Sequence, residues 1–462
     1  METLAVRPFR NFRSAFVTPP GSKSITNRAL ALAALRTGTT RLSGALFSED
    51  TRTMLECLRR LGFSVAADEA AGTVEVRGCG GAIPAARAEL FVANAGTAAR
   101  FLTAMLALRE GGEYRLDGVD AMRKRPMSGL LEALEKIGCD FEFHGERGFF
   151  PFTMRTRGVS ARDVAVDARA SSQILSALML IAPVAGAKNG AGTFEVFLKG
   201  ETVSRPFVDM TAKMIAQFGG ALEARGNAFV CGGGYGAGAL DYAVEPDATA
   251  ASYFLVLPFV HRGSEVCIRN FDTEGLQGDA AFAAELSAPP HDLISCSLSA
   301  DAAGTPLCRA RAGTSTCGFD ADFNAISDTF LTLAAVSPLL DAGTPLTIRG
   351  VAHTRRQETD RVAAAAAELS KILGAENVSQ TEDSLRVVPV ARASLRSRAD
   401  AAPGGKFRVA TYRDHRIAMS FGVLGTFDLR GDGSPWIELE DPACCAKTFP
   451  DFFRVLESIR GA

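Results

Sequence analysis

The sequence predicts a layered α/β protein made of two lobes, each built from three copies of one supersecondary unit. Along the whole chain, short polar motifs precede helices that are rich in small residues. Each of these helices is followed by an amphipathic second helix, and strand-like runs that end near glycine lie between the helices. Alternating strand and helix patterns are typical of α/β folds. Each unit is therefore predicted to have the element order βαβαβ(β).

Six segments share the opening pattern, and their starts are about 73 to 88 residues apart. This period is longer than the roughly 20 to 50 residues of solenoid repeats. Six starts in 462 residues predict two domains of three units. The segments are GSKSITNRALALAAL at Gly21, NAGTAARFLTAMLAL at Asn94, ASSQILSALMLIAPV at Ala170, PDATAASYFLVLPFV at Pro246, NAISDTFLTLAAVSP at Asn324 and YRDHRIAMSFGVLGT at Tyr412.

The second helices show apolar residues at i, i+3 or i+4, and i+7, and they end near glycine, as in SEDTRTMLECLRRLGF, MSGLLEALEKIGC and PFVDMTAKMIAQFGG. Runs such as TRLSGAL, EYRLDGV, FEVFLKG, EVCIRNF, PLTIRGV and WIELEDP predict the strands. The stretch from Ser287 to Cys317 lacks the helix-then-glycine pattern, so the fourth unit is predicted to be irregular.

A domain boundary is predicted at 231–240, where CGGGYGAGAL contains five glycines. The stretch loosely matches GxGxxA, but a dinucleotide-binding loop would have to open a helix, and the following ALDYAVEPD has a strand pattern. A hinge or linker is therefore favoured over a cofactor loop.

Composition excludes several classes of protein. The chain has 50 Lys+Arg against 52 Asp+Glu, which argues against nucleic-acid binding through bulk charge. A hydrophobic fraction of 47% and a charged fraction of 22% are typical of a globular protein and argue against disorder. The length suits two or three domains.

No apolar run reaches the roughly 18 residues that cross a bilayer. The longest, from Ile174 to Ala187, contains Ser176 and Pro183 and is predicted to be a core helix. The N-terminus is arginine-rich, which raises the possibility of a transit peptide. The motif that begins at Gly21 leaves no room for a long transit peptide, so a cytoplasmic chain of mature length is predicted.

The ten cysteines form no CxxC pair and have no Cys/His ligand spacing. A zinc or iron–sulfur site is therefore not expected. Scattered single cysteines are usually small buried side chains in a reducing compartment.

Three of the opening signatures place hydroxyl, amide or glycine residues at a helix start: Ser22 and Ser24, then Asn94, Gly96 and Thr97, then Ser171, Ser172 and Gln173. One interpretation is helix capping, which stabilises by about 1 kcal/mol per cap. The other is anion binding, because the free N–H groups and the positive helix end attract phosphate or carboxylate.

Basic residues next to these signatures favour anion binding. A charge run is usually a solvated face, but here a cation accompanies a motif in nearly every unit while the total charge is almost neutral. GSKS does not match GxxxxGK[ST], so nucleotide hydrolysis is not indicated. The cations are Lys23, Arg28, those of RKRP from Arg123 to Pro126, Arg205 beside Ser204, those of RRQETDR from Arg355 to Arg361 and of RDHR from Arg413 to Arg416, and Lys447.

These motifs resemble the 3-phosphoshikimate 1-carboxyvinyltransferase (5-enolpyruvylshikimate-3-phosphate synthase) family of enolpyruvyl transferases. The resemblance extends from Pro20 to Phe453, in the family's order, and the set is specific although QETDR or VSRPF alone is not. It rests on PGSKSITNRALALAAL, NAGTAARFLTA, RKRPM, SSQILSALML, VSRPFVDM, LQGDAAF, ISDTFLTLA, QETDR, DHRIAMSF and AKTFPDFF.

The resemblance implies transfer of the enolpyruvyl group of phosphoenolpyruvate to the 5-hydroxyl of shikimate 3-phosphate, with release of phosphate. It implies the two-lobed enolpyruvyl transferase fold, with three βαβαββ units in each lobe (an inside-out α/β barrel) and helix N-termini facing the cleft between them. The first lobe is predicted at 21–238 and the second at 1–20 plus 239–462, with hinges near 20 and 231–240. No cofactor or metal, no nucleic acid or membrane partner, and a monomer are expected.

The resemblance also assigns site residues. Those expected at shikimate 3-phosphate are Lys23, Ser24, Arg28, Ser171, Ser172, Gln173, Ser204, Asp328 and Gln357. Those expected at phosphoenolpyruvate are Lys23, Gly96, Arg125, Gln173, Arg361, Arg416 and Lys447. Arginine forks suit both carboxylate and phosphate, and Gly96 lets the backbone approach the ligand closely.

By the same resemblance, Asp328 is the expected general base, and Glu358 is expected to handle the methylene proton, alone or with Lys23. Cations around these carboxylates favour the ionised form, whereas dehydration opposes it. The alternative for Asp328 is a helix N-cap. His415 in DHR is interpreted as a structural residue.

The sequence departs from the family pattern at a few positions. Gln357 stands where a lysine is usual, which removes a cation at a cost of about 1.5–3 kcal/mol unless Arg356 compensates. Phe207 replaces a usual tyrosine. His353 falls where many members have asparagine, and Phe101 where many have proline or leucine.

Three alternatives remain open: the related transferase that acts on UDP-N-acetylglucosamine, an inactive binding protein on the same scaffold, and a relative of the RNA-phosphate cyclases. The GSKS motif with Arg28, the SSQ motif and DHR fit the shikimate acceptor better than the UDP-sugar. Neutral charge and the lack of interleaved aromatic and basic residues argue against RNA. The predicted acid, base and cationic residues are all present, which argues against an inactive binding protein. They are Lys23, Asp328, Glu358, Arg416 and Lys447.

Overall fold

The computed structural model describes residues 2–200, 204–302 and 304–461. The chain divides into two compact units. The inserted unit is Gly21–Glu245, and the flanking unit is Met1–Pro20 with Pro246–Ala462.

The strands of the described residues are short. In chain order they are β1 (Thr3–Ala5), β2 (Ser14–Val17), β3 (Thr37–Ser43), β4 (Ser64–Asp68), β5 (Thr73–Cys79), β6 (Arg87–Phe91), β7 (Glu110–Asp117), β8 (Cys139–Phe143), β9 (Phe152–Arg157), β10 (Asp163–Val166), β11 (Thr193–Leu198), β12 (Ala221–Arg225), β13 (Ala228–Gly232), β14 (Leu240–Ala243), β15 (Glu265–Arg269), β16 (Ile294–Ala300), β17 (Pro306–Ala312), β18 (Asp320–Asp322), β19 (Leu346–Arg349), β20 (Val378–Gln380), β21 (Ser384–Val387), β22 (Phe407–Val409) and β23 (Ile437–Glu440).

The α-helices are α1 (Lys23–Leu35), α2 (Glu49–Arg60), α3 (Gly96–Leu106), α4 (Asp120–Arg123), α5 (Ser128–Lys136), α6 (Ser172–Lys188), α7 (Arg205–Gln217), α8 (Ala248–Leu255), α9 (Leu257–Val260), α10 (Phe282–Ser287), α11 (Phe330–Val336), α12 (Arg361–Leu373), α13 (Arg392–Ala401), α14 (His415–Gly425) and α15 (Phe452–Ser458). Short 3-10 helices lie at Gly278–Ala281, Asn324–Ile326, Ser337–Leu339, Ala352–Arg356, Ala375–Asn377, Pro403–Gly405 and Pro442–Lys447.

The strands of the described residues form six sheets, three in each unit. Five sheets have four strands and one common pattern, in which a parallel pair is followed by two antiparallel pairings, as in β6-β7-β9-β8. The sixth sheet, β1-β23-β22, keeps the parallel pair and one antiparallel pairing. The predicted six-fold repeat of βαβαβ(β) units is therefore confirmed.

Each unit takes one strand of a sheet from a segment next to the point where the chain passes from one unit to the other. In the inserted unit, β14 pairs in parallel with β3 and supplies the opening strand of the first sheet. In the flanking unit, β2 pairs in parallel with β15 and does the same for the fourth sheet. Each unit therefore completes a sheet with a strand that lies far from the rest of that sheet in sequence.

The stretch at 231–240, predicted to be a hinge, is part of the inserted unit. The Tyr235 hydroxyl donates to the Leu180 carbonyl at 2.7 Å, and the Gly238 N–H donates to the Thr37 carbonyl at 2.9 Å. Because β14 follows and also pairs within this unit, the division falls between Glu245 and Pro246, later than the predicted 238/239. The other division falls between Pro20 and Gly21.

The fourth repeat is regular, which corrects the prediction for 287–317. Its second helix, α10, is short, and β16 and β17 form an antiparallel pair with Ile294 opposite Ala312. The pattern was hidden in the sequence because β16 is an edge strand whose residues after Ile294 are mostly exposed and polar. An exposed edge strand does not need the apolar alternation that marks a strand with one buried face.

The opening helices form the cores of the units. In the inserted unit α1, α3 and α6 pack against one another, and every residue of α3 is buried. In the flanking unit α14 packs against both α8 and α11. Alanine and glycine let such helices approach closely while burying little side-chain volume. The apolar run from Ile174 to Ala187 lies in the buried helix α6, as predicted.

No helix in the described ranges is long and apolar enough to cross a membrane.

Candidate active site

A cluster of carboxylates and cations lies at the N-terminal ends of helices in the flanking unit. Its centre is Arg361, the first residue of α12, which is 1% exposed. Its guanidinium donates to three carboxylates, those of Asp414 at 2.8 Å, Asp328 at 3.0 Å and Glu358 at 2.8 Å.

Two further cations complete this cluster. The Nη2 of Arg416 donates to Oδ2 of Asp328 at 2.6 Å, and the Nζ of Lys447 lies 2.9 Å from Oε1 of Glu358. Asp328 and Glu358 are therefore each held by two cations, and they share Arg361. Such contacts fix the orientation of both carboxylates.

The charges of this cluster compensate one another. Burial by itself lowers the pKa of Arg361, but the neighbouring carboxylates outweigh it, so this pKa lies above its usual value. Burial also opposes the charge of Arg416, whose pKa is nevertheless raised, chiefly by Asp328. Both arginines therefore stay charged.

The local sequence explains how arginines can occupy helix starts, where the dipole disfavours cations. Asp360 caps α12 by accepting from the Ala363 N–H at 2.9 Å, and Asp414 caps α14 by accepting from the Arg416 N–H at 2.9 Å. The motifs ETDR and RDHR thus place a capping carboxylate one residue before Arg361 and two residues before Arg416.

Asp328 does not occupy the N-cap position that was its alternative interpretation. Helix α11 begins at Phe330 with Thr329 as its N-cap residue. The carboxylate of Asp328 instead binds the two arginines.

Gln357 and His353, two departures from the family pattern, border the cluster. The Oε1 of Gln357 accepts from Nη1 of Arg361. The Nε2 of His353 is 2.8 Å from the Ser327 hydroxyl, and burial lowers the pKa of His353 despite the nearby charge of Asp328. Arg356, considered as a compensating cation, is exposed.

Asp279 in LQGDAAF is a buried carboxylate for which the sequence suggested no role. Its Oδ2 accepts from the Thr249 hydroxyl at 2.6 Å. Burial and, secondarily, the charge of Asp328 raise the pKa of Asp279 to about 7. It therefore titrates near neutral pH beside the cluster.

The inserted unit has a different set of buried cations, beginning with Arg28. Its Nε donates to the Thr211 hydroxyl at 2.8 Å, and its other groups donate to the Ser24 and Phe207 carbonyls at 3.0 and 3.2 Å. The rings of Phe101 and Phe207 lie 5.3 and 5.9 Å from its guanidinium carbon. Burial lowers the pKa of Arg28 to about 9.

Arg100 is a second buried cation in this unit and is not among the predicted site residues. It donates to the Gly96 carbonyl at 3.1 Å, to Oε1 of Gln173 at 3.2 Å and to the Pro126 carbonyl at 3.0 Å. Burial and the charge of Arg125 lower the pKa of Arg100 to about 9. This arginine links the predicted residues Gly96 and Gln173.

Arg125 approaches Gly96 closely at the start of α3. The Nη1 of Arg125 donates to the Asn94 carbonyl at 3.3 Å. A Cβ added at Gly96 would lie 2.6 Å from Nη2 of Arg125, closer than real Cβ contacts. A side chain here would displace the guanidinium.

The capping interpretation holds for only part of the opening signatures. Ser171 caps α6, since its hydroxyl accepts from the Gln173 N–H at 3.2 Å. Ser22 occupies the N-cap position of α1 without a side-chain capping bond, and Ala95 rather than Asn94 precedes α3. These two helix starts therefore keep N–H groups that capping side chains do not satisfy.

The remaining predicted residues of this unit lie at helix starts. Lys23 opens α1 and its Nζ is 3.4 Å from Oδ2 of Asp50. Ser172 is the first residue of α6. Ser204 precedes α7 with a φ of 52°, a left-handed conformation that is rare for serine and is found more often at functional sites.

His415 is completely buried, and its Nδ1 lies 3.7 Å from Oδ1 of Asp414. Across the described ranges, no group of three or more His, Cys, Asp and Glu residues has the geometry of a metal site.

The fold has solved counterparts. The chain aligns with an EPSP synthase from Acinetobacter baumannii with a TM-score of 0.76 at 22% identity, covering 99% of this chain and 98% of that one. It aligns with the enolpyruvyl transferase NikO from Streptomyces tendae with a TM-score of 0.67 at 17% identity, covering 98% and 96%. The molecule therefore has the enolpyruvyl transferase fold.

Sequence comparison narrows the class to a family. Residues 12–456 match the model of EPSP synthase (3-phosphoshikimate 1-carboxyvinyltransferase). The chain is 45% identical to the 3-phosphoshikimate 1-carboxyvinyltransferase of Opitutus terrae over 99% of this chain and 98% of that protein, and 38% identical to that of Nostoc punctiforme over 98% of each. The chain belongs to the EPSP synthase family, as its motifs predicted.

Proposed function

We propose that this chain transfers the enolpyruvyl group of phosphoenolpyruvate to the 5-hydroxyl of shikimate 3-phosphate. The products are 5-enolpyruvylshikimate 3-phosphate and phosphate, a step of the shikimate pathway towards chorismate and the aromatic amino acids. Family membership supports the reaction. The observation that carries it is the pair of carboxylates, Asp328 and Glu358, each held by two cations.

The reaction is an addition followed by an elimination. In the addition, the 5-hydroxyl oxygen bonds to C2 of phosphoenolpyruvate and loses its proton, while the methylene carbon gains a proton. In the elimination, the tetrahedral intermediate loses a methyl proton and expels phosphate. We assign the hydroxyl proton to Asp328 and the methylene proton to Glu358, alone or with Lys23.

The neighbouring cations support these roles. Arg361 and Arg416 bind the two oxygens of Asp328 and so fix the direction of its carboxylate, as a positioned general base requires. Arg361 and the Lys447 ammonium, 2.9 Å away, orient Glu358, which gives its proton to the methylene carbon in the addition and takes the methyl proton back in the elimination.

We assign anion binding to cations and helix starts in both units. For shikimate 3-phosphate the residues are Lys23, Ser24, Arg28, Ser171, Ser172, Gln173, Ser204, Asp328 and Gln357. For phosphoenolpyruvate they are Lys23, Gly96, Arg125, Gln173, Arg361, Arg416 and Lys447. Buried arginines with neutral partners support this, because such cations gain most from a bound dianion.

We also propose a cytoplasmic monomer. Light scattering coupled to size-exclusion chromatography, with and without substrates, tests the oligomeric state.

The reaction itself is tested by phosphate release from phosphoenolpyruvate, with shikimate 3-phosphate or UDP-N-acetylglucosamine as the acceptor. We expect release only with shikimate 3-phosphate, together with the enolpyruvyl ether by mass spectrometry. Release only with the UDP-sugar would reassign the acceptor, and no release with either would exclude the proposal.

A further inference from the structure

The fifth repeat contains a helix that the corresponding links of the other repeats lack. The interval from Asn324 to Tyr412 is the longest between repeat starts, about 88 residues against 73 to 78 elsewhere. The additional residues lie between β21 and β22 and form α13 and the 3-10 turn Pro403–Gly405. In the described parts of the four preceding repeats, the equivalent link has no helix.

This additional segment forms one wall of an open cavity of about 720 Å³. The cavity lies beside α12, α13 and β22 in the flanking unit. Its volume is within the roughly 300 to 1,000 Å³ of small-molecule sites. The wall combines apolar surface from Ala402, Pro403 and Phe407 with four cations, Lys371, Arg398, Lys406 and Arg408.

Three of these cations are already neutralised. Lys371 lies 2.6 Å from Glu368, Lys406 lies 2.9 Å from Glu438, and Arg408 lies 2.7 Å from Glu440. Four cations therefore face three carboxylates, and one positive charge is left. A monoanion matches one excess positive charge and leaves the site neutral.

Arg398 carries the excess charge. Its Nε donates to the Ile372 carbonyl at 3.0 Å, which orients the half-buried side chain. Its two terminal amino groups have no acceptor among the residues that the structure describes. This pair of donors has the fork geometry that binds a carboxylate through both oxygens.

The apolar part of the wall indicates the body of the ligand. Pro403 presents an exposed, rigid surface, and Phe407, which is buried and makes an edge contact with Trp436 at 6.3 Å, lines the floor of the cavity. Planar rings pack well on such surfaces and on a guanidinium plane.

The cavity is separate from the candidate active site. Lys371 lies near the C-terminal end of α12, whereas Arg361 is its first residue. Ten residues of helix separate them by about 15 Å.

From these observations we propose that the additional segment of the fifth repeat forms a second binding site, which takes a small aromatic monocarboxylate with its carboxylate on Arg398 and its ring against Pro403 and Phe407.

Calorimetric titration of the full chain with 3-phenylpropionate tests this site. We expect binding that saturating phosphoenolpyruvate does not displace. Arg398→Gln should weaken it about tenfold or more, the usual effect of losing a charge-assisted hydrogen bond. Arg396→Gln is the matched control, because Arg396 lies on the same helix and is not part of the cavity wall; it should bind as the wild type does.

Two further ligands distinguish the contribution of the carboxylate charge to affinity from that of the aromatic ring. 3-Phenylpropanamide lacks the charge and acetate lacks the ring, and each should bind about tenfold more weakly or worse. Ala402→Trp should block the cavity without touching Arg398. The proposal is overturned by no binding up to about 10 mM, by displacement with phosphoenolpyruvate, or by unchanged affinity in Arg398→Gln or Ala402→Trp.

Discussion

Both units bury arginines in the first two turns of helices, but the hydrogen-bond partners of these arginines differ. In the inserted unit Arg28 and Arg100 donate only to carbonyl, hydroxyl and amide oxygens, and their pKa values fall to about 9 because they are buried. In the flanking unit Arg361 and Arg416 bind carboxylates, and despite burial their pKa values rise.

This difference gives the two units different electrostatic properties. A buried cation with only neutral partners is stabilised by an incoming phosphate, so the inserted unit is suited to hold one. In the flanking unit, cations orient the carboxylates of Asp328 and Glu358, which suits these carboxylates to move protons beside the phosphoenolpyruvate that we assign to the same cations. We therefore propose that proton transfer is confined to the flanking unit, whereas both units bind anions.

The largest expected effect is at the proposed base. Asp328→Asn should lower kcat about 10²–10⁴-fold, the usual range for a general acid–base group. Steady-state phosphate release measures it. Asp320→Asn is the control, because Asp320 is an exposed carboxylate paired with Arg349, and it should keep the wild-type kcat. A near-wild-type kcat in Asp328→Asn would remove the acid–base role from the flanking unit.

The second-largest effect is expected on stability, when Arg361 is replaced. Arg361→Met leaves Asp328, Glu358 and Asp414 without their shared cation, and we expect a loss of about 3–5 kcal/mol in the free energy of unfolding. Thermal and urea denaturation measure it. The control Arg349→Met breaks only an exposed pair and should change stability by about 1 kcal/mol or less. Equal losses in the two variants would contradict the compensated cluster.

A pH-dependent effect is expected at Asp279. Its pKa of about 7 in the folded protein exceeds that of an unfolded aspartate, so the folded state holds the proton more tightly. This contribution to stability is full at pH values below the unfolded pKa and is lost as the pH rises to about 7. Asp279→Asn should therefore have a higher Tm than the wild type at pH 8, and the difference in Tm should be much smaller at pH 4.5. A pH-independent difference in Tm would show that Asp279 does not titrate in this window.

The smallest expected effect is a change in the free energy of unfolding when Arg28 is replaced. Arg28→Met removes a buried charge that no described carboxylate neutralises, and Thr211 keeps its bonds to Phe207 and Ser176. Stability should change by about 1 kcal/mol or less, or rise, because an apolar residue avoids the cost of burying a charge. A loss in the free energy of unfolding as large as that of Arg361→Met would remove the distinction between the units.

The local patterns of the sequence predicted the repeats, the opening helices and most cations of the two clusters. Small-residue helices and glycine-ended strands are local features. The sequence missed contacts between distant segments, such as Arg100 with Gln173 and Arg361 with Asp414. The hinge was misplaced for the same reason, because only the pairing of β14 with β3 assigns residues 240–243 to the inserted unit.

Calorimetric titration of shikimate 3-phosphate tests most directly whether the buried cations of the inserted unit bind the phosphate of this substrate. Arg28→Met should bind about tenfold or more weakly than the wild type, since it loses charge-assisted hydrogen bonds to the ligand. Arg36→Met, which changes another buried arginine just past the opposite end of α1, should keep the wild-type affinity. Unchanged affinity in Arg28→Met would contradict the assignment of anion binding to the cations of the inserted unit.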